Sequence, residues 1–315
     1  MPILRSDTEG LIPEQHLPEI MQGAIADSVA LSMFRRLPDM SSNMLSMPVL
    51  ASLPNAGFVN GEPGHKPVTA AAWEKKTIKA GEIAAVVAIP DAVIDDALEN
   101  GHDLFGQLMP QITQSIGAVI DAAIIFGDGK PADWRESIYD SADAAGAVIA
   151  STSDTFLDIF GESGAIAKVE NSGYVPSGII SSVPMMGRLR GLRDDNRQPL
   201  FMQQTAQPLQ QAPGYALNSI PMIFSRNGAW DTTKAGLLVG DMSQAVFSIR
   251  RDISYRLDSS GVVTDPTTKE VIHNLMQENM TALIVWMRLG WELPNPVNAL
   301  QPDGSVRFPF AFCAA

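Results

Sequence analysis

Apolar side chains recur every third or fourth residue between His102 and Phe126: Phe105, Leu108, Ile112, Ile116, Val119, Ala123 and Phe126. That is the helical period. A second row (Met109, Ile112, Ile116, Ile120, Ile124) widens the stripe, while Gln107, Gln111, Gln114 and Asp121 share the opposite face. Asn100-Gly101 breaks the chain before this stretch, Asp103 is placed to cap it, and Gly127-Asp128-Gly129 ends it. The pattern predicts a helix of about 35 Å at ~1.5 Å per residue, kinked or restarted at Pro110. With two buried rows, it is a spine against which other layers pack, and Asp121 on its polar stripe is paired or solvated.

A different period governs two later stretches. In Ala245–Leu257, residues Ala245, Phe247, Ile249, Ile253, Tyr255 and Leu257 alternate with polar ones, and in Met280–Leu293 Leu283, Val285, Met287, Leu289, Trp291 and Leu293 are all apolar. Two period-2 strands joined by a connection of about 20 residues pair into a sheet with one buried face. Arg251 alone interrupts the first apolar face, so it requires a carboxylate, a carbonyl or a neighbouring subunit.

Upstream, residues 1–18 read as an extended arm and Glu19 to Leu37 as a helix. Strand-like runs at 47–54 and 68–79 flank a Gly/Pro-rich tip from Gly57 to Pro67, which makes a long hairpin. A further run, EIAAVVAI from Glu82, suits a sheet. A lone hairpin is marginal in water, so this one is expected to rest on another subunit. On this reading, residues 56–80 can be removed without loss of the core. Pro90-Asp91 opens a short helix whose Asp91, Asp95 and Glu99 share one face. Beyond the spine the pattern is mixed. Asp154 to Glu170 reads as one helix with Phe156, Leu157, Phe160, Ile166 and Val169 inward. Strands follow at 174–181, 221–225 and 235–239, a helix at 184–194, and an irregular tail after Pro296.

Composition narrows the function. The chain has 315 residues and a net charge of −13, which argues against gripping nucleic acid or an anionic membrane over a broad surface. The start lacks a basic region followed by an apolar run, and no segment is expected to reach the ~20 apolar residues of a membrane span. The single cysteine, Cys313, fits a reducing cytoplasm.

No candidate chemistry outweighs a bland account. Gly127-Asp128-Gly129-Lys130 lacks phosphate-loop spacing and ends a helix instead of opening one. Gly161-Glu162-Ser163-Gly164 lacks the nucleophile-elbow pattern. His16, His65, His102 and His273 are far apart. Asp91, Asp95, Asp96 and Glu99 fit a solvated helix face better than a cation site, and Cys313 has no base beside it. The expectation is a protein that is not an enzyme and uses no cofactor or metal.

The order of elements (arm, long hairpin, spine ending in Gly-Asp-Gly, mixed region, antiparallel strand pair) resembles the tailed-bacteriophage major capsid protein, whose shell fold encapsulins and the herpesvirus capsid floor share. Val86–Glu99 running into the spine, Gly178–Leu200, Gly240–Arg256, Met280–Pro296 and the opening MPILRSDTEGLIPE carry it. The resemblance implies an α+β shell fold: N-terminal arm 1–46, extended β-hairpin loop 47–89, peripheral domain 90–130 and 240–296 with spine and antiparallel sheet, and mixed α/β axial domain 131–239 and 297–315. It also implies self-assembly into hexamers and pentamers of an icosahedral virion shell, built in the host cytoplasm around double-stranded DNA that is not bound by sequence. Acidity suits a container that must release its genome. The alternative within this fold is an encapsulin-like compartment holding a cargo enzyme. Roughly 45 residues before the hairpin are too few for a coiled-coil scaffold plus an arm, so either a separate scaffolding protein exists, the expected case, or none is needed; a portal and a decoration protein are the other expected partners, with no membrane partner. The candidate intersubunit contacts are Trp73, Lys75, Lys76, Lys79 and Glu82 of the hairpin and Arg250, Arg251 and Arg256 of the first long strand. Cross-linking of the hairpin lysines to Asn295 or Asn298, known in some relatives, is not favoured.

Overall fold

The computed structural model describes residues 28–58, 68–99, 104–152, 154–192, 215–217 and 219–314. The expected arm 1–18, the first part of the helix expected from Glu19, the tip from 59 to 67, the cap at Asp103 and most of loop 198–219 lie outside them.

In chain order the elements are α1 (Val29–Met33), β1 (Arg35–Arg36), β2 (Met44–Ser52), β3 (Ala72–Lys79), β4 (Gly81–Pro90), α2 (Asp91–Glu99) and α3 (Leu104–Asp121). A π-helical turn, Ala122–Phe126, prolongs α3. Then come α4 (Ile138–Ala144), β5 (Val148–Ile149), α5 (Thr155–Phe160), α6 (Ala165–Asn171), β6 (Gly178–Ser182) and α7 (Val183–Gly191). The rest are β7 (Tyr215–Leu217), β8 (Ile220–Ser225), β9 (Leu237–Gly240), β10 (Val246–Asp258), β11 (Val262–Thr264), β12 (Val271–Asn274), α8 (Leu275–Glu278), β13 (Met280–Glu292) and β14 (Phe310–Cys313). Packing divides the chain into two units.

The described part of the first unit comprises Glu82–Gly117 and Arg251–Arg288. Within it β4, β13 and the second half of β10 share a sheet in the order β10–β13–β4. Glu82 meets Arg288 at one end, and Asp91 N donates to the Asn279 carbonyl at the other, so β4 and β13 run antiparallel. The connection between β10 and β13, which looked featureless in sequence, folds into the β11–β12 hairpin and α8. Leu275, Met280 and Ala282 make a small core there with Val263 and Ala88. The expected restart at Pro110 does not occur, because α3 runs through it.

The second unit comprises Ser28–Gly81, Ala118–Arg250 and Leu289–Ala315. Its six-stranded sheet has the order β5–β14–β9–β6–β8–β7. Strands β6, β9 and β14 are buried at every position. The tail expected to be irregular therefore contains a central strand: Phe312 pairs with Val148 on one side and Leu238 on the other. Four residues buried on both faces carry no alternation to detect. The single helix expected over Asp154 to Glu170 is two, α5 and α6. A Cβ at Gly161 would stand 2.5 Å from the Leu157 carbonyl oxygen, so glycine alone permits the tight break there. The break also turns Leu157 outward and leaves Asp158 and Ile159 buried.

The C-terminal part of the spine lies in this unit. Ile120, Ile124, Ile125 and Phe126 are buried, while Val119, placed on the apolar row, is exposed. Leu108–Phe126 is, contrary to expectation, long and apolar enough by composition to cross a membrane, but half of it is buried inside the protein, as suits a core helix. Gly127, at φ 81°, supplies the left-handed cap. Asp121 is buried (2 % exposed), so it is paired and not solvated. Its carboxylate accepts from Ser28 Oγ (2.7 Å), Val29 N (2.9 Å), Ala30 N (3.0 Å) and Asn227 Nδ2 (2.6 Å). Bonds to a charged group contribute about 1.5–3 kcal/mol each, and they offset the cost of burying the charge. Burial still pushes the Asp121 carboxyl above the ordinary aspartate value.

Two outcomes are expected. A Cβ at Gly290 would lie 2.4 Å from the Lys79 carbonyl oxygen, whereas one at Gly187 would meet nothing within 4 Å. Thermal melting should show Gly290→Ala destabilised by about 1–3 kcal/mol and Gly187→Ala unchanged or stabilised by up to about 1 kcal/mol. For Asp121, a raised folded-state pKa means the folded chain holds the proton more tightly than the unfolded one. Stability of the wild type relative to Asp121→Asn should therefore fall as pH rises from 3.8 through the raised value, and paired denaturation curves across that range check the sign.

Candidate functional site

The hairpin expected from sequence is formed by β2 and β3, paired from Met44↔Lys79 to Leu50↔Trp73 and on to Ser52↔Ala72 after a bulge. Opposed residues in an antiparallel pair share a face, so the register sorts the ribbon into two. One face carries Leu45, Met47, Val49 and Ile78 with Glu74 and Lys76. At its root Ile78 is fully buried against Met40 and Val246, with Leu37, Leu45 and Met47 around them. This corrects the expectation that 56–80 is dispensable, since Ile78 belongs to the core. The other face carries Met44, Ser46, Pro48, Leu50, Trp73, Lys75, Thr77 and Lys79. Met44 and Trp73 are exposed there, Trp73 at 68 %.

The remaining expected contact residues are not brought into one cluster. Lys76 pairs with Glu74 at 3.0 Å and Lys79 with Asp133 at 3.4 Å, whereas Lys75 is exposed. Glu82 belongs to β4, where it meets Arg288 at 2.5 Å. Arg251 is exposed instead of buried: its guanidinium lies 5.5 Å over the Trp286 ring, and Ser254 accepts from its Nε at 3.4 Å. Within its own chain Arg251 thus meets an aromatic face and a hydroxyl, not a carboxylate or a carbonyl. Arg256 is exposed and bonds to Asp258. Arg250 is half-buried, and its Nη1 is buried with no hydrogen-bond partner among the described residues.

Sequence reasoning missed Arg288, Trp286 and Arg135. Arg135 donates to Glu292 and to the Leu293 carbonyl, both at 2.9 Å, and stacks over Trp291. Nothing in their local pattern sets them apart, because each acts through a strand distant in sequence.

The possible chemical sites are occupied by structural bonds. Asp91 accepts from Thr281 Oγ1 at 2.6 Å, Asp95 and Asp96 are exposed, and His273 meets Glu278 at 2.8 Å. Among the described residues no three His, Cys, Asp or Glu side chains converge as metal ligands. Asn295 Oδ1 accepts from Tyr174 and Arg307 while its Nδ2 donates to the Arg307 carbonyl. Asn298 donates to the Ser172 carbonyl and accepts from Gln301 N. Both half-buried amides are engaged within their own chain.

A sequence model of the phage capsid family matches residues 9–302. Among solved structures, a chain from Microbacterium phage Oxtober96 is similar at TM-score 0.76 and 29 % identity, covering 100 % of this chain and 99 % of that one. One from Mycobacterium phage Adephagia has TM-score 0.76 and 26 % identity, with coverage of 100 % and 98 %. A capsid of an empty GTA particle shares the fold at TM-score 0.57 and 15 % identity, with coverage of 99 % and 97 %. The curated proteins contain no match.

Cys313 gives a direct check on this reading of the site. Its thiol is buried and pushed up to about 12, by burial first and by Asp158 second. A disulfide-exchange reagent at neutral pH should leave native protein unmodified, then titrate the one thiol once denaturant is added. Rapid modification of the folded chain would show the site to be open.

Proposed function

This chain belongs to the phage capsid family, and we propose that its β2–β3 hairpin is the element through which copies join into a shell. The chain is a tailed-phage major capsid protein, a component of the virion's icosahedral shell. The encapsulin alternative is not favoured, since the matching family is that of phage capsids and the solved structures named above at 29 % and 26 % identity come from phages. Capsid proteins are structural, so the reading assigns no catalytic role to any residue.

The carrying observation is the division of the hairpin. Its root is part of the core, whereas the outer face with Trp73 and Lys75 is exposed in its own chain. An exposed aromatic flanked by a cation is suited to a partner with apolar and acidic surface. The exposed Asp95 and Asp96 of another copy's α2 offer that chemistry. Arg250, whose buried Nη1 lacks an acceptor among the described residues, takes one from a neighbour, and the exposed Arg251 and Arg256 offer further contacts. On this reading the division into arm 1–46, loop 47–89, peripheral domain 90–130 plus 240–296 and axial domain 131–239 plus 297–315 describes the working parts. Hexamers and pentamers enclose double-stranded DNA without reading it, with separate scaffolding, portal and decoration proteins, and assemble in the host cytoplasm.

The test shortens the hairpin while sparing its root. Replacing residues 53–71 by a Gly/Ser linker, together with Trp73→Ala and Lys75→Glu, removes the outer contact and keeps Ile78. The expected product is a cooperatively melting subunit that light scattering and electron microscopy find as capsomers or smaller, while wild type forms closed particles. Particles of normal size from the variant would show that the hairpin is not a subunit contact.

A further inference from the structure

The segment between β13 and β14 contains no helix or strand, yet its own side chains hold it in one shape. Its ends meet at Asn295 and Arg307. Asn295 Nδ2 donates to the Arg307 carbonyl at 2.8 Å, and Arg307 Nε donates back to Asn295 Oδ1 at 3.2 Å. The rest of the guanidinium reaches across the loop. Nη1 donates to the carbonyls of Gln301 (2.9 Å) and Pro302 (3.0 Å), and Nη2 to that of Asn295 (3.1 Å). Arg307 is only 6 % exposed, and a cation buried that far is tolerable because each of its nitrogens finds an acceptor. Asn295 turns the chain at a φ of 47°, which asparagine accepts more readily than most residues. Tyr174 Oη donates to Asn295 Oδ1, and Asn298 Nδ2 donates to the Ser172 carbonyl, both at 2.8 Å, which moors the loop to the segment before β6. A surface loop with joined ends, packed by its own side chains, has the build of an Ω-loop.

What this clasp holds out is apolar. Leu300 is 79 % exposed and Val306 50 %, while Val175, next to the mooring Tyr174, is 79 % exposed. One exposed aliphatic side chain needs no explanation, but these sit on a loop that a buried guanidinium has already fixed. Fixing such side chains before association removes the ordering cost that a loose loop would incur on contact. The loop also adjoins the hairpin: Val297 N donates to the Leu50 carbonyl at 3.0 Å, and Leu50 stands opposite Trp73 in the ladder. We propose that loop 295–307 is a preorganised contact that seats Leu300 and Val306 on a second copy of this chain, with Arg307 as the residue that positions it. The choice of a second copy rests on the hairpin reading above, because the neighbour that covers Trp73 is then next to the loop as well.

Light scattering by the full-length protein, followed as its concentration is raised, tests the contact. Leu300→Ser with Val306→Ser changes only exposed side chains, so thermal melting should match wild type. The threshold concentration for particles should rise at least about tenfold, since each copy loses two aliphatic anchors. Particles at the wild-type threshold would overturn the proposal and leave these side chains to solvent or to a different protein. Arg307→Lys tests the positioning, because a single ammonium cannot serve both sides of the loop as the planar fork does. Hydrogen exchange in peptides covering 297–306 should speed up while 178–182 keeps its protection, and the threshold should rise although Leu300 and Val306 are intact. Faster exchange at an unchanged threshold would overturn the positioning role. Should Arg307→Lys not fold, the double serine variant decides. Trp73→Ala with Lys75→Glu, run in parallel, separates the two contacts. Normal particles from that variant and none from the serine variant would remove the hairpin contact and keep the loop, and the reverse would remove the loop and keep the hairpin.

Discussion

A carboxylate buried among dipoles ties together three segments of this chain that are remote in sequence. Asp121 receives four donors from two segments remote in sequence, and no cation is among them. An ion in that position is tolerable only while every donor is in place, because water cannot substitute for a missing one. The constraint reaches outward. It fixes where the spine gives way to a π turn, how the chain enters from its N-terminal side, and where the loop after β8 closes over Asn227.

Much of this architecture was legible before any coordinates. The apolar set read from period-2 alternation along β13 and just past it is buried: Leu283, Val285, Met287, Leu289, Trp291 and Leu293. The hairpin was legible from strand runs around a Gly/Pro tip, and the Gly127 stop from its residue type. What sequence could not show falls into two physical classes. The first is context on both faces: β14 and the first half of β10 are covered twice, so alternation vanishes where burial is greatest. The second is partnership at long range. The helical wheel places Asp121 on the polar stripe beside Gln114, yet one is buried and the other exposed, because only the first meets Ser28 and Asn227.

The contact residues illustrate the same limit from the opposite side. Trp73 and Lys75, expected as intersubunit contacts, are exposed in their own chain, whereas Arg251, expected to need a carboxylate, a carbonyl or a neighbouring subunit, lies over an indole of its own chain. A guanidinium is planar and weakly hydrated, so an aromatic face satisfies it at a half-open site where a bare ammonium would prefer water. Alternation predicts which face a residue occupies, not how far the covering layer extends along it.

The placement of β14 has a consequence for the order of events in the cell. Its two neighbours are β5, made some 160 residues earlier, and β9, made some 70 residues earlier. Until residues 310–313 leave the ribosome, both strands present unpaired, apolar edges, and a sheet in that condition is adhesive. Of the six strands in this sheet, β14 is the last to be made, so the sheet closes only after all the others are present.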